Sequence, residues 1–116
     1  LCHYHNHGPM KRYLQAIAEI GVDSLDPIEA PPWGDCTLAE AKAAIGDRVC
    51  LVGNLDDMEI IDKVDGATME ALAEDAIRQA GPGGFCLGGT TSGTFGEHAG
   101  YNFLRMVEVS KRMAGG

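Results

Sequence analysis

The sequence predicts an α/β fold of four parallel βα units. Short apolar runs alternate four times with stretches of helical periodicity, the pattern of a parallel sheet with right-handed crossovers. The third run, Val49-Cys50-Leu51-Val52, is continuously apolar, as suits a parallel strand covered on both faces. The 116 residues also fit four units at barrel density, since a (β/α)8 barrel takes about 31 residues per unit. A small open α/β sheet is the alternative. A single domain over residues 1–116 is expected.

Leu1 to His5 is the first strand candidate. Gly8-Pro9 then opens a helix, because proline tolerates the first helical position. Met10, Tyr13, Leu14, Ile17 and Ile20 recur at helical spacing, and Gly21 is placed to stop them. Val22 to Asp26 is the second strand, followed by a loop rich in proline and acid from Pro27 to Asp35. Thr37 with Glu40 forms a capping-box pattern for a helix running to Ile45. The third strand is expected to be buried, with Cys50 inaccessible. Gly53 to Asp56 leaves it, and a short helical piece spans Met58 to Val64. Thr68 caps a longer helix with Met69, Leu72, Ala73, Ala76, Ile77 and Ala80 on one face, ended by Gly81-Pro82-Gly83. Phe85 to Leu87 is the fourth strand. A last helix runs from His98 to Met113, with Phe103, Met106, Val107 and Ser110 on one face. The inner faces of the strands are expected to be apolar.

A net charge of −8 disfavours nucleic-acid and anionic-membrane partners, which repel an acidic protein. No run of about 18 apolar residues marks a membrane span. The N-terminus shows no signal-peptide pattern. Cys2, Cys36, Cys50 and Cys86 match no CxxC signature; Cys2, Cys50 and Cys86 lie in apolar strand-like runs, and Cys50 and Cys86 read as small buried hydrophobes. A reduced, cytoplasmic protein is the expectation. No GxGxxG turn or P-loop supports a nucleotide site.

Residues that could carry chemistry cluster just after the strands, the edge that hosts active sites in βα architectures. His5 and His7 lie two residues apart, so at a strand end they share a side and could begin a zinc site. Pocket-lining polar side chains are the plainer reading. His3 shares the alternation if the strand reaches it. Candidates for a further ligand are Asp26, Glu29, Asp56, Cys86 and His98. Asp26 and Glu29 are the candidate catalytic acids or bases, against a simple solvated acidic loop. Asn54, Asp56, Thr90 and Thr91 are candidate substrate-binding residues. The Gly88 to Gly93 loop either cradles an anionic group on its backbone amides or is a plain connector. Trp33 is expected to pack against a neighbouring helix, with a pocket lid as the alternative.

Taken in order, four segments resemble the uroporphyrinogen decarboxylase superfamily. They are His5-Asn6-His7-Gly8, Gly21 to Pro32 (GVDSLDPIEAPP), Gly46 to Asp56 (GDRVCLVGNLD) and Gly81 to Gly88 (GPGGFCLG). The resemblance covers residues 1 to 113 and implies the C-terminal half of a (β/α)8 barrel. It also implies either decarboxylase chemistry or zinc-dependent methyl transfer with a corrinoid or thiol partner and a small-molecule substrate. In the methyltransferase branch the first segment carries a His-x-Cys-Gly zinc pair, so His5 keeps the His place and His7 takes the Cys place. That branch's third ligand, a cysteine in the last strand's loop, is replaced here by Thr90 or Thr91. The decarboxylase branch has a functional histidine in the same loop, and this chain lacks it. A half-barrel further implies pairing, either as a homodimer or with an N-terminal half-barrel.

Overall fold

The computed structural model describes residues 1–93 and 95–115. Four strands, β1 (His3–Asn6), β2 (Ser24–Pro27), β3 (Cys50–Asn54) and β4 (Phe85–Gly88), form one parallel sheet in the order β1-β2-β3-β4. Helices α1 (Leu14–Ile20), α2 (Leu38–Ile45), α3 (Gly66–Ala80) and α4 (Glu97–Gly115) alternate with them. Neighbouring strands follow one another in sequence, so crossovers of one hand place every helix on the same face. The α/β class with four parallel strands is as the sequence predicts.

The core lies between sheet and helices. Leu25 and Leu51 point into it from the strands and are fully buried, as are Met10, Leu38, Ile45 and Met69. Local chemistry sets the helix ends. Gly21 closes α1 at φ 90°, a left-handed conformation open to glycine at no steric cost. The capping box of α2 is reciprocal: Glu40 N donates to Thr37 Oγ1 at 3.1 Å, and Thr37 N donates to Glu40 Oε2 at 2.9 Å.

Several boundaries differ from expectation. Each strand starts one to two residues late or runs one to two residues longer, because parallel pairing extends them toward the edge where the polar segments sit. The first helix begins beyond Pro9, with a 3₁₀ turn at Lys11–Tyr13. Asp65, not Thr68, caps α3, its carboxylate accepting Thr68 N at 2.8 Å. The short helical piece is a π-helical turn, Asp57–Ile61. The buried stripe of α4 is Ala99, Asn102, Met106 and Val109, leaving Tyr101, Leu104 and Val107 exposed. Asn102 was not singled out, yet it is 1% exposed and ties α4 to the π turn by donating to Ile61 O at 2.8 Å and Val64 O at 2.9 Å.

The larger correction concerns the face opposite the helices. Strand alternation puts His3, His5, Ser24, Asp26, Cys50, Val52, Asn54 and Cys86 there. That face is polar along β1 and β2 rather than apolar throughout, and among the described residues no helix covers it. Cys50 and Val52 are therefore half-buried, and Cys86 is exposed together with Cys2. The buried thiol is instead Cys36, which lies outside the strands.

Among the described residues no helix is long and apolar enough to cross a membrane.

Candidate functional site

The register of β1 on β2 builds the site. His3 sits opposite Ser24, and His5 sits opposite Asp26. Asp26 is 7% exposed and points to the open face. Its Oδ1 meets His3 Nε2 at 2.7 Å and His5 Nδ1 at 2.8 Å. His3 Nδ1 in turn meets Ser24 Oγ at 2.6 Å.

Beyond β2 the chain turns sharply. Ile28 is fully buried and holds φ 57°, a region that β-branched residues rarely occupy. Inward burial of Ile28 is followed by inward burial of Glu29, which is 6% exposed. Glu29 Oε1 accepts Gly8 N at 2.8 Å and meets His7 Nδ1 at 3.0 Å. Strain stored in such a residue is over-determined by its surroundings and is frequent at functional sites.

Each of the two histidines thus has its Nδ1 on a buried carboxylate. Their Nε2 atoms come within 3.0 Å of each other, and the rings are edge to face with centroids 4.6 Å apart. With both Nδ1–H groups donated to carboxylates, the two Nε2 lone pairs face each other. A proton between them, or a metal to one side that both nitrogens ligate, would relieve that opposition.

Of the further ligand candidates, Asp26 and Glu29 stand behind the rings, not beside the Nε2 pair. Asp56 caps the π turn, its Oδ1 accepting Met58 N at 3.0 Å and Glu59 N at 2.6 Å. His98 is on α4, its Nε2 bonded to Val64 O at 2.6 Å. Cys86 lies in β4, with Val52 as its strand partner. Among the described residues no group of three or more His, Cys, Asp or Glu is disposed to hold a metal.

Asn54, Asp56 and Thr90 line a cavity with Glu29 and Trp33. Trp33 is half-exposed at its mouth instead of packed against a helix. Thr91 is exposed and holds φ 54°, its hydroxyl donating to Thr90 O at 2.7 Å. The Gly88 to Gly93 loop is shaped by a residue the sequence reading passed over. Asp57 is 1% exposed, and its two oxygens accept Thr90 N at 2.9 Å and Ser92 N at 2.8 Å. Asp57 N donates back to Thr90 Oγ1 at 3.2 Å. The amides of Thr90 and Ser92 are thus committed to an internal carboxylate, which an external anion would have to displace to use them. The available signal was an acid, Asp57, just past one strand and a small-residue loop just past the next.

No protein-family model matches the chain. The chain is similar to a uroporphyrinogen decarboxylase of Pseudomonas putida (strain GB-1), with 36% identity over 100 residues. The matched stretch is 84% of this chain and 27% of that protein, so the chain spans about a quarter of the relative's length. Together with the parallel βα architecture, this likeness supports a distant relationship to the uroporphyrinogen decarboxylase superfamily.

Proposed function

We propose that the chain is the C-terminal half of a (β/α)8 barrel and that His5 and His7 hold a zinc ion for methyl transfer involving a thiol or corrinoid partner. The observation that supports this most is the approach of the two Nε2 atoms to 3.0 Å, with each Nδ1 tied to a buried carboxylate. Metal-binding histidines commonly have their second nitrogen held in this way. The donor chemistry therefore fits two positions of a zinc site, and the others fall to substrate, water or residues outside this chain.

Zinc there would supply Lewis-acid chemistry, lowering the pKa of a bound thiol so that it serves as a thiolate. The chain's own side chains do the positioning. Asp26 Oδ1 orients His3 and His5 together, and Glu29 Oε1 orients His7. Asp26 and Glu29 are also the carboxylates through which protons could pass to or from a substrate group. Asn54, Asp56, Thr90 and Thr91 are the proposed substrate contacts, and Thr90 is the best fixed of them because Asp57 holds its amide.

The missing barrel strands belong to the same proposal. Among the described residues β1 and β4 each keep one unpaired edge. Beside β4 an open groove of about 420 Å3 is lined by Phe85, Leu87 and Met113. An N-terminal half-barrel or a second copy of this chain would cover both.

Elemental analysis after mild dialysis tests the metal, with about one zinc per chain expected and loss in the His5→Ala, His7→Ala double variant. Less than about a tenth of an equivalent, unchanged by the double substitution, refutes it. A second reading, decarboxylation of a porphyrinogen, draws on the name of the similar protein. Release of carbon dioxide from uroporphyrinogen by the assembled protein would establish it.

A further inference from the structure

The cavity beside Glu29 has a composition that selects its occupant. It measures about 110 Å3 at the C-terminal ends of β2 and β3. That exceeds the room a single water needs and falls short of the roughly 300–1,000 Å3 of drug-sized pockets. Its walls include three carboxylates, Glu29, Asp56 and Glu59, and among the described residues no Lys, Arg or His lines it. Pro32, Trp33 and Ile60 add apolar wall.

Two of the carboxylates are already engaged. Asp56 caps the π turn, and Glu59 pairs with Lys63 Nζ at 2.8 Å. Glu29 differs. It is 94% buried by its 6% exposure, its Oε1 takes both Gly8 N and His7 Nδ1, and its Oε2 accepts nothing among the described residues. No fully buried side-chain oxygen among the described residues lacks a partner, so Oε2 keeps some open surface, and Glu29 is one of the cavity's lining residues.

We propose that this cavity binds a small organic ammonium ion, with Glu29 Oε2 as its counter-ion and the Trp33 indole as its aromatic wall. An anion would meet uncompensated carboxylates. A small inorganic cation would have to give up its hydration shell to apolar walls that cannot replace it. An alkylated ammonium holds water weakly, packs against proline and isoleucine, and is attracted to an indole. The site does not depend on zinc, though it shares Glu29 with the histidine pair and Asn54, Asp56 and Thr90 with the substrate contacts proposed above.

Trp33 is the sole tryptophan, so its fluorescence reports on the cavity. The full chain, kept in chelator so that metal binding is read separately, is titrated with tetramethylammonium chloride and with sodium chloride at matched ionic strength. A saturable change with the ammonium salt alone is expected, at least about tenfold weaker in Glu29→Gln. Because Glu29→Gln also frees His7, Trp33→Leu is titrated by calorimetry beside it, with thermal midpoints confirming that both variants fold. Weakened binding in Trp33→Leu supports the proposal. Superimposable curves for the two salts, or unchanged affinity in both variants, overturns it.

Discussion

Asp57 offers the sharpest stability test because its two oxygens both accept from backbone amides and nothing else satisfies those amides. Thr90 N reaches Oδ1 at 2.9 Å and Ser92 N reaches Oδ2 at 2.8 Å, at a residue 1% exposed. Hydrogen bonds to a charged group contribute about 1.5–3 kcal/mol each, so removing both costs about 3–6 kcal/mol. Asp57→Ala should lose that amount in urea denaturation. Asp57→Asn should lose nearly as much despite its similar shape, because its amide nitrogen would direct N–H groups at an N–H donor. A side chain at position 89 would collide with Asp57 Oδ1, so the clamp also requires glycine there. Hydrogen exchange at Thr90 and Ser92 should rise selectively in both variants. A cost below about 1 kcal/mol for Asp57→Ala, or unchanged exchange at those two amides, would refute the clamp.

Two other outcomes are expected. A thiol reagent should reach Cys2 and Cys86 quickly and Cys36 only on unfolding, since burial, followed by the nearby Glu40 and Asp35 charges, pushes the Cys36 thiol from 9.0 to about 11. A raised folded-state value means this thiol's contribution to stability is complete below pH 9.0 and is lost as pH climbs toward about 11, a decline that a Cys36→Ala variant should lack. Light scattering on size-fractionated protein should show self-association or capture of an N-terminal half-barrel. A clean monomer over about a hundredfold in concentration, with amides near Phe85 protected, would show instead that the edges are covered within the chain.

The strands and helices were legible because their signals are local. The apolar run at Val49 to Val52, the capping box at Thr37 and Glu40, and the stop at Gly21 each depend on neighbours within a few residues. The spacing of His5 and His7 likewise placed both imidazoles on one side. Less legible was everything that depends on register between strands. That His3 and His5 share one oxygen of Asp26 follows from His5 lying opposite Asp26, a pairing over 21 positions of sequence. The clamp of Asp57 on Thr90 and Ser92 spans 33 and 35 positions. The polarity of the open face was misjudged for a related reason. Alternation says which residues share a side, but only the placement of the helices says which side is covered.

That open polar face changes what closing a ring, as proposed above, would gain. A half-barrel whose hollow is greasy would be an orphan that precipitates until its mate arrives. Here the open face carries imidazoles, a hydroxyl and a carboxylate already bonded among themselves, so exposing them costs little. The gluing surfaces are instead the rims, the bare backbone of β1 and β4 and the side of α4 that bears Leu104 and Val107. A mate recruited by its rims is chosen by backbone register, which a one-residue slip would scramble. The hollow would then be sealed as a water-rich chamber whose chemistry was already in place before assembly.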